Sequence, residues 1–183
     1  MFRVAAKTLL FYWKEIFPCL PPACRSKMKI LVDADSCPKP VRDLLLRRAA
    51  KLKLRIIFAA NRQIPESDGA EMIICSAKEN SADDRIVELS EKGDLAITRD
   101  VPLAKRLVEK NVSVIDDRGR VFTHDNINEY LSMRNFKVGL ADNGLEIVRI
   151  PNYGKKELKM LADALDRTLT AMMRLQGTGS APA

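Results

Sequence analysis

The chain has 183 residues, of which 46% are apolar and 30% charged, with only 8 Gly and 9 Pro. That length suits one domain with a core of its own, and the composition excludes collagen-like, low-complexity and wholly disordered chains. The net charge of +7 suggests a polyanion partner, but it is unevenly placed. Residues 1–28 hold five basic side chains (Arg3, Lys7, Lys14, Arg25, Lys27) against Glu15 alone. The rest of the chain is nearly balanced, so its pI is weak evidence for nucleic-acid binding.

Residues 1–28 form a leader of different character. Its longest clean apolar stretch, Thr8 to Trp13, is too short for a secretory signal. Its readings are an interfacial helix, a poorly ordered tail, or upstream sequence ahead of a true start at Met28. The last is preferred, because Met28 directly precedes the first strand. No apolar run approaches the roughly 20 residues of a membrane span. Four Cys (19, 24, 37, 75) without a CxxC pair argue against a disulfide scaffold or a zinc site and suit a reducing cytoplasm.

From Lys29 onward, short apolar runs alternate with helical patterns. Ile30–Val32 is a continuous apolar run ending in Asp33, the pattern of a buried parallel strand. Pro38 and Pro40 open a helix carrying Val41, Leu44, Leu45 and Leu52. Strands are expected at Arg55–Ala60, Glu71–Cys75, Leu95–Thr98 and Val112–Ile115. Helices are expected from Ser81, read as an N-cap, to Gly93; over Pro102–Lys110; from a Thr123 cap to about Met133; and over Lys155–Leu175. Asp117-Arg-Gly-Arg reads as a turn. The expectation is one α/β domain over 29–176, a mainly parallel sheet of about five strands with helices on both faces, then a flexible tail over 177–183.

Ligands of open parallel sheets bind beyond the carboxyl ends of the strands. Asp33 and Asp35 follow the first strand, Asn61 and Arg62 the second, and Ser76 the third. Asp83 and Asp84 open the next helix, Asp100 follows the fourth strand, and Asp116 and Asp117 follow the fifth. Clustered carboxylates repel one another unless neutralised. Mg²⁺ or Mn²⁺, which prefer oxygen ligands, would neutralise them, orient a water and offset charge on a phosphate. Asp33, Asp35, Asp83 and Asp100 are therefore the candidate metal-binding and catalytic set. Lys39, Asn61, Arg62 and Arg99 are candidates for holding substrate phosphates.

Each residue has a plainer reading. Asp33 and Asp35 can form an Asx turn, Asp84 can serve only as helix-start charge, Asp100 can be a cap, and Asp116–Asp117 read first as a turn. Asp94 begins a strand, at the opposite edge, and is read as structural. His124 reads as surface or capping, and Cys37 and Cys75 as packing. No glycine-rich phosphate loop follows the first strand.

The body resembles the YaiI/YqxD family of uncharacterised bacterial proteins. The resemblance rests on VDADSCP at 32–38, AAN at 59–61, SADDRIV at 81–87, GDLAITRDVPLA at 93–104, the RG turn at 118–119 and LSMR at 131–134. The family usually begins just before the first strand, so the leader departs from it. Asp84 departs too, standing where the family usually has Asn. That family is similar to the PIN/NYN nucleases, whose acidic clusters bind Mg²⁺ or Mn²⁺ and cleave phosphodiesters, usually in RNA. The resemblance implies metal-ligand roles for Asp33, Asp35, Asp83 and Asp100. It also implies importance for Asp94.

Two other functions compete with a nuclease. One is a phosphatase of the haloacid-dehalogenase type, with Asp33 as nucleophile, Asp35 as acid/base and Asp116–Asp117 as metal ligands; Cys37-Pro38 departs from that signature. The other is a non-catalytic metal- or RNA-binding module.

Overall fold

A computed structural model of the chain describes residues 28–64, 69–75, 81–144 and 153–177. The leader before Met28, Ser76 and the end of the tail lie outside the described residues. The elements run β1 (Lys29–Asp33), α1 (Lys39–Leu52), β2 (Arg55–Ala60), β3 (Glu71–Ile74), α2 (Ser81–Leu89), β4 (Leu95–Ile97), α3 (Val101–Glu109), β5 (Ser113–Ile115), β6 (Val121–Phe122), α4 (Ile127–Asp142) and α5 (Lys155–Gly177). The sheet order is β3-β2-β1-β4-β5-β6. The first five strands are parallel, and β6 pairs antiparallel with β5.

β1 is central, with Ile30, Leu31 and Val32 all buried, which explains its unbroken apolar run. Its side chains alternate between two cores. Ile30 and Val32 pack with Phe58, Leu45 of α1, and Leu161 and Leu165 of α5. Leu31 packs with Ile57, Ile86 of α2, Leu107 of α3 and Ile127 of α4. Helices therefore cover both faces, and Met28 is enclosed in the first core.

At the amino end of the sheet, Asp94 is 1% exposed. It accepts from the Lys29 amide at 3.0 Å and the Glu91 amide at 2.8 Å, and its Oδ2 lies 2.8 Å from Lys29 Nζ. It ties the start of β1 to the entry of β4, the structural role expected of it.

Four local expectations are corrected. Ser81 is the first residue of α2, and its hydroxyl donates to Asn61 Oδ1 at 2.9 Å. The cap of α4 is Asn126, which exchanges hydrogen bonds with Thr123. That helix runs on to Asp142, past the expected end at Met133. Cys75 is half-exposed because β3 is an edge strand, where Ile74 is exposed as well.

Gly119 shows how closely α5 is docked. It has φ +83°, a left-handed value that favours glycine. A Cβ built there would stand 2.5 Å from the Met160 backbone oxygen. The Asp116–Arg120 turn thus lies directly on the backbone of α5.

Candidate acidic site at the carboxyl edge of the sheet

The parallel strands deliver their carboxyl ends to one edge. There a cavity of about 350 Å³ is lined by Asp33, Asp35, Ser36, Asn61, Ala82 and Asp83. Three segments distant in sequence thus line one space, two of them supplying the three carboxylates and the third Asn61.

Each acid is held in a definite way. Asp33 is buried at the end of β1. Its Oδ2 accepts from Ser36 Oγ at 2.7 Å and from Thr98 Oγ1 at 3.0 Å. The Thr98 oxygen in turn accepts from the Asp100 amide at 3.0 Å. A relay therefore runs from the β4–α3 junction to Asp33. Asp35 Oδ2 accepts from the Asn61 amide at 2.7 Å, which ties the β1 loop to the end of β2. Arg62 Nε stands 3.8 Å from Asp35 Oδ1, and its side chain is largely exposed. Asp100 caps α3, accepting from the Leu103 amide at 2.9 Å.

Asp83 sits in the first turn of α2, where the helix dipole favours negative charge. Its pKa is nevertheless pushed up to about 6, first by burial and then by the charges of Asp33 and Asp100. Arg106 pulls the other way, but its guanidinium is paired with Asp84 at 2.8 Å. Asp84 is a first-turn charge of α2, its plainer reading, and also pairs with α3.

The candidates divide as follows. Asp33, Asp35, Asp83 and Asn61 share the cavity. Asp100 adjoins it, close enough to act on Asp83. Arg62 stands at its rim. Arg99 faces Asp117 at 3.5 Å. Lys39 is exposed at the first position of α1. Asp116 accepts from the amides of Arg118 and Arg120 and from Arg120 Nε, so it organises the turn as expected. Cys37 is buried in the core, its thiol pushed up to about 12 by burial. His124 is exposed.

Ser36 and Thr98, the hydroxyls that orient Asp33, were not singled out from sequence. Their signal was position: Thr98 ends the strand beside β1, and Ser36 sits three residues beyond Asp33.

The donor chemistry fits a hard divalent cation. It is all oxygen, and the charges of Asp33 and Asp100 add to the cost of ionising Asp83. Among the described residues, no three Asp, Glu, His or Cys side chains stand close enough to enclose a cation by themselves. Mg²⁺ commonly keeps several waters and takes only one or two carboxylates, so an open donor set of this kind suits it.

The pattern of the uncharacterised YaiI/YqxD family matches residues 31–171. The chain belongs to this family. A UPF0178 protein of Treponema denticola is 50% identical over 147 residues, 80% of this chain and 95% of the relative. One from Syntrophobacter fumaroxidans is 40% identical over 152 residues, 82% and 99% respectively. One from Treponema pallidum is 42% identical over 150 residues, 81% and 85%. No solved structure matches. No helix among the described residues of this YaiI/YqxD chain is long and apolar enough to cross a membrane.

Proposed function

We propose that this protein is a metal-dependent nuclease that cleaves phosphodiester bonds in RNA, a PIN-like member of the YaiI/YqxD family. The observation that carries the reading is the meeting of Asp33, Asp35 and Asp83 around one cavity, where burial and then the charges of Asp33 and Asp100 push the Asp83 pKa up to about 6. A Mg²⁺ or Mn²⁺ ion held by one or two of these carboxylates and otherwise by water, with Asp100 beside them, would supply Lewis-acid charge for an attacking water and for the phosphate.

The chain's own groups have separate tasks. Ser36 and Thr98 fix the orientation of Asp33 by holding one oxygen. The Asn61 amide does the same for Asp35. Arg62 at the rim offers a guanidinium to a backbone phosphate, and Lys39 and Arg99 add positive charge at the same edge.

The phosphatase reading draws less support. It would need Asp116 as a ligand, and Asp116 is occupied by hydrogen bonds within its turn. The test is cleavage of end-labelled RNA with Mn²⁺ by wild type and Asp33→Asn. The nuclease reading expects Mn²⁺-dependent cleavage that Asp33→Asn abolishes. Equal activity in both proteins, or none in the wild type, counts against it.

A further inference from the structure

Asp116 and Asp117 follow β5 side by side, and the fold treats them differently. Asp116 accepts three hydrogen bonds from its own turn. Asp117 is 2% exposed, and its Oδ2 is enclosed with no hydrogen bond among the described residues. Burial raises its pKa, and Arg99 is the strongest influence in the opposite direction. The contact is made by Arg99 Nε, 3.5 Å from Asp117 Oδ1. A buried carboxylate with so few hydrogen bonds costs stability. Its one evident use is to hold that guanidinium.

Arg99 occupies a telling place. It lies between Thr98, which donates to Asp33, and Asp100, which caps α3. Its side chain is 45% exposed. Its Nε is the atom facing Asp117, and its Nη groups donate no hydrogen bond among the described residues. The Arg99–Asp117 pair is therefore one residue removed from Thr98, which holds Asp33 of the acidic cavity.

We propose that Asp117 is a positioning residue. Its buried charge holds Arg99 so that the free fork of the guanidinium takes a backbone phosphate of the nucleic acid, beside the one at the acidic cavity. This rests on the nuclease reading for the class of ligand. Arginine suits the task because one edge can be anchored while the other meets phosphate oxygens.

The experiment measures binding of a fluorescein-labelled single-stranded RNA by anisotropy, in Ca²⁺, across a salt series. It compares wild type, Arg99→Ala, Asp117→Asn, the double variant and Arg99→Lys. Arg99→Ala is expected to weaken binding about tenfold. It should also reduce the slope of log affinity against log salt by about 0.7, the loss of one phosphate contact to a single strand. Asp117→Asn should weaken binding in the wild-type background and change nothing further in Arg99→Ala. Arg99→Lys keeps the charge but loses the anchored edge, so its affinity should fall while the slope stays. Equal loss from Asp117→Asn in both backgrounds overturns the proposal, as does wild-type binding by Arg99→Lys. Wild-type binding with all variants unchanged overturns this proposal alone. No salt-dependent binding by the wild type overturns the RNA reading and this proposal with it.

Discussion

Asp83→Asn should make the protein more stable at pH 8. An unfolded Asp83 ionises near 3.8 and the folded one near 6. Between those values the folded chain holds a proton that the unfolded chain has lost. Stability therefore falls as pH rises across that window, and the loss is complete above pH 6 to 7. The two-unit gap corresponds to about 3 kcal/mol at most. The carboxyl is only partly enclosed, so screening by water reduces this to about 1–2 kcal/mol. Asn keeps the shape and cannot ionise. Its melting temperature should exceed that of the wild type by about 3–6 °C at pH 8 for a domain of this size. The gain should vanish near pH 4, where Asp83 is protonated in the folded chain. Thermal melts followed by circular dichroism in EDTA read both values. Added Mn²⁺ should then raise the wild type more than the variant, since a ligand of the folded state stabilises it by mass action. An unchanged or lower melting temperature at pH 8, or an equal gain at both pH values, would refute the argument that burial and repulsion oppose ionisation of Asp83.

Asp94→Ala should cost roughly 3–5 kcal/mol in urea unfolding, because it strands Lys29 and two amides at the base of the sheet; a loss below 1 kcal/mol would remove its structural role. Gly119→Ala should destabilise by about 2–4 kcal/mol, combining the left-handed backbone with a Cβ pressed on the α5 backbone. A neutral result in thermal melts would mean that the turn and α5 are not docked as described.

The parallel core was legible because burial on both faces leaves continuous apolar runs. Ile30–Val32 and Ile56–Ala60 are such runs, and both strands are enclosed. β6 escaped notice because Val121 and Phe122 are too few to show any period. The length of α4 was hidden for another reason. Met133, Phe136 and Val138 are exposed on it, so its far half has no apolar stripe to read. Ser81 has the chemistry of a cap but is directed to Asn61 by tertiary contact.

The acids of the site were legible because topology, not local sequence, sets which strand ends meet. Asp33, Asp35 and Asp83 followed from that rule alone. What the rule could not supply was the hydrogen bonding that separates similar residues. Asp84 pairs with Arg106 while Asp83 turns to the cavity, and Asp116 organises a turn while Asp117 faces Arg99. Those distinctions depend on helix phase and on the packing of neighbouring strands, which a single sequence leaves open.

The most direct measurement is titration of the full chain with Mn²⁺ by calorimetry, in the wild type and in Asp33→Asn. Saturable binding in the wild type, reversed by EDTA and weakened about tenfold or more in the variant, is the predicted result. Equal binding by both proteins, or no binding by either, would contradict a cation held between these carboxylates.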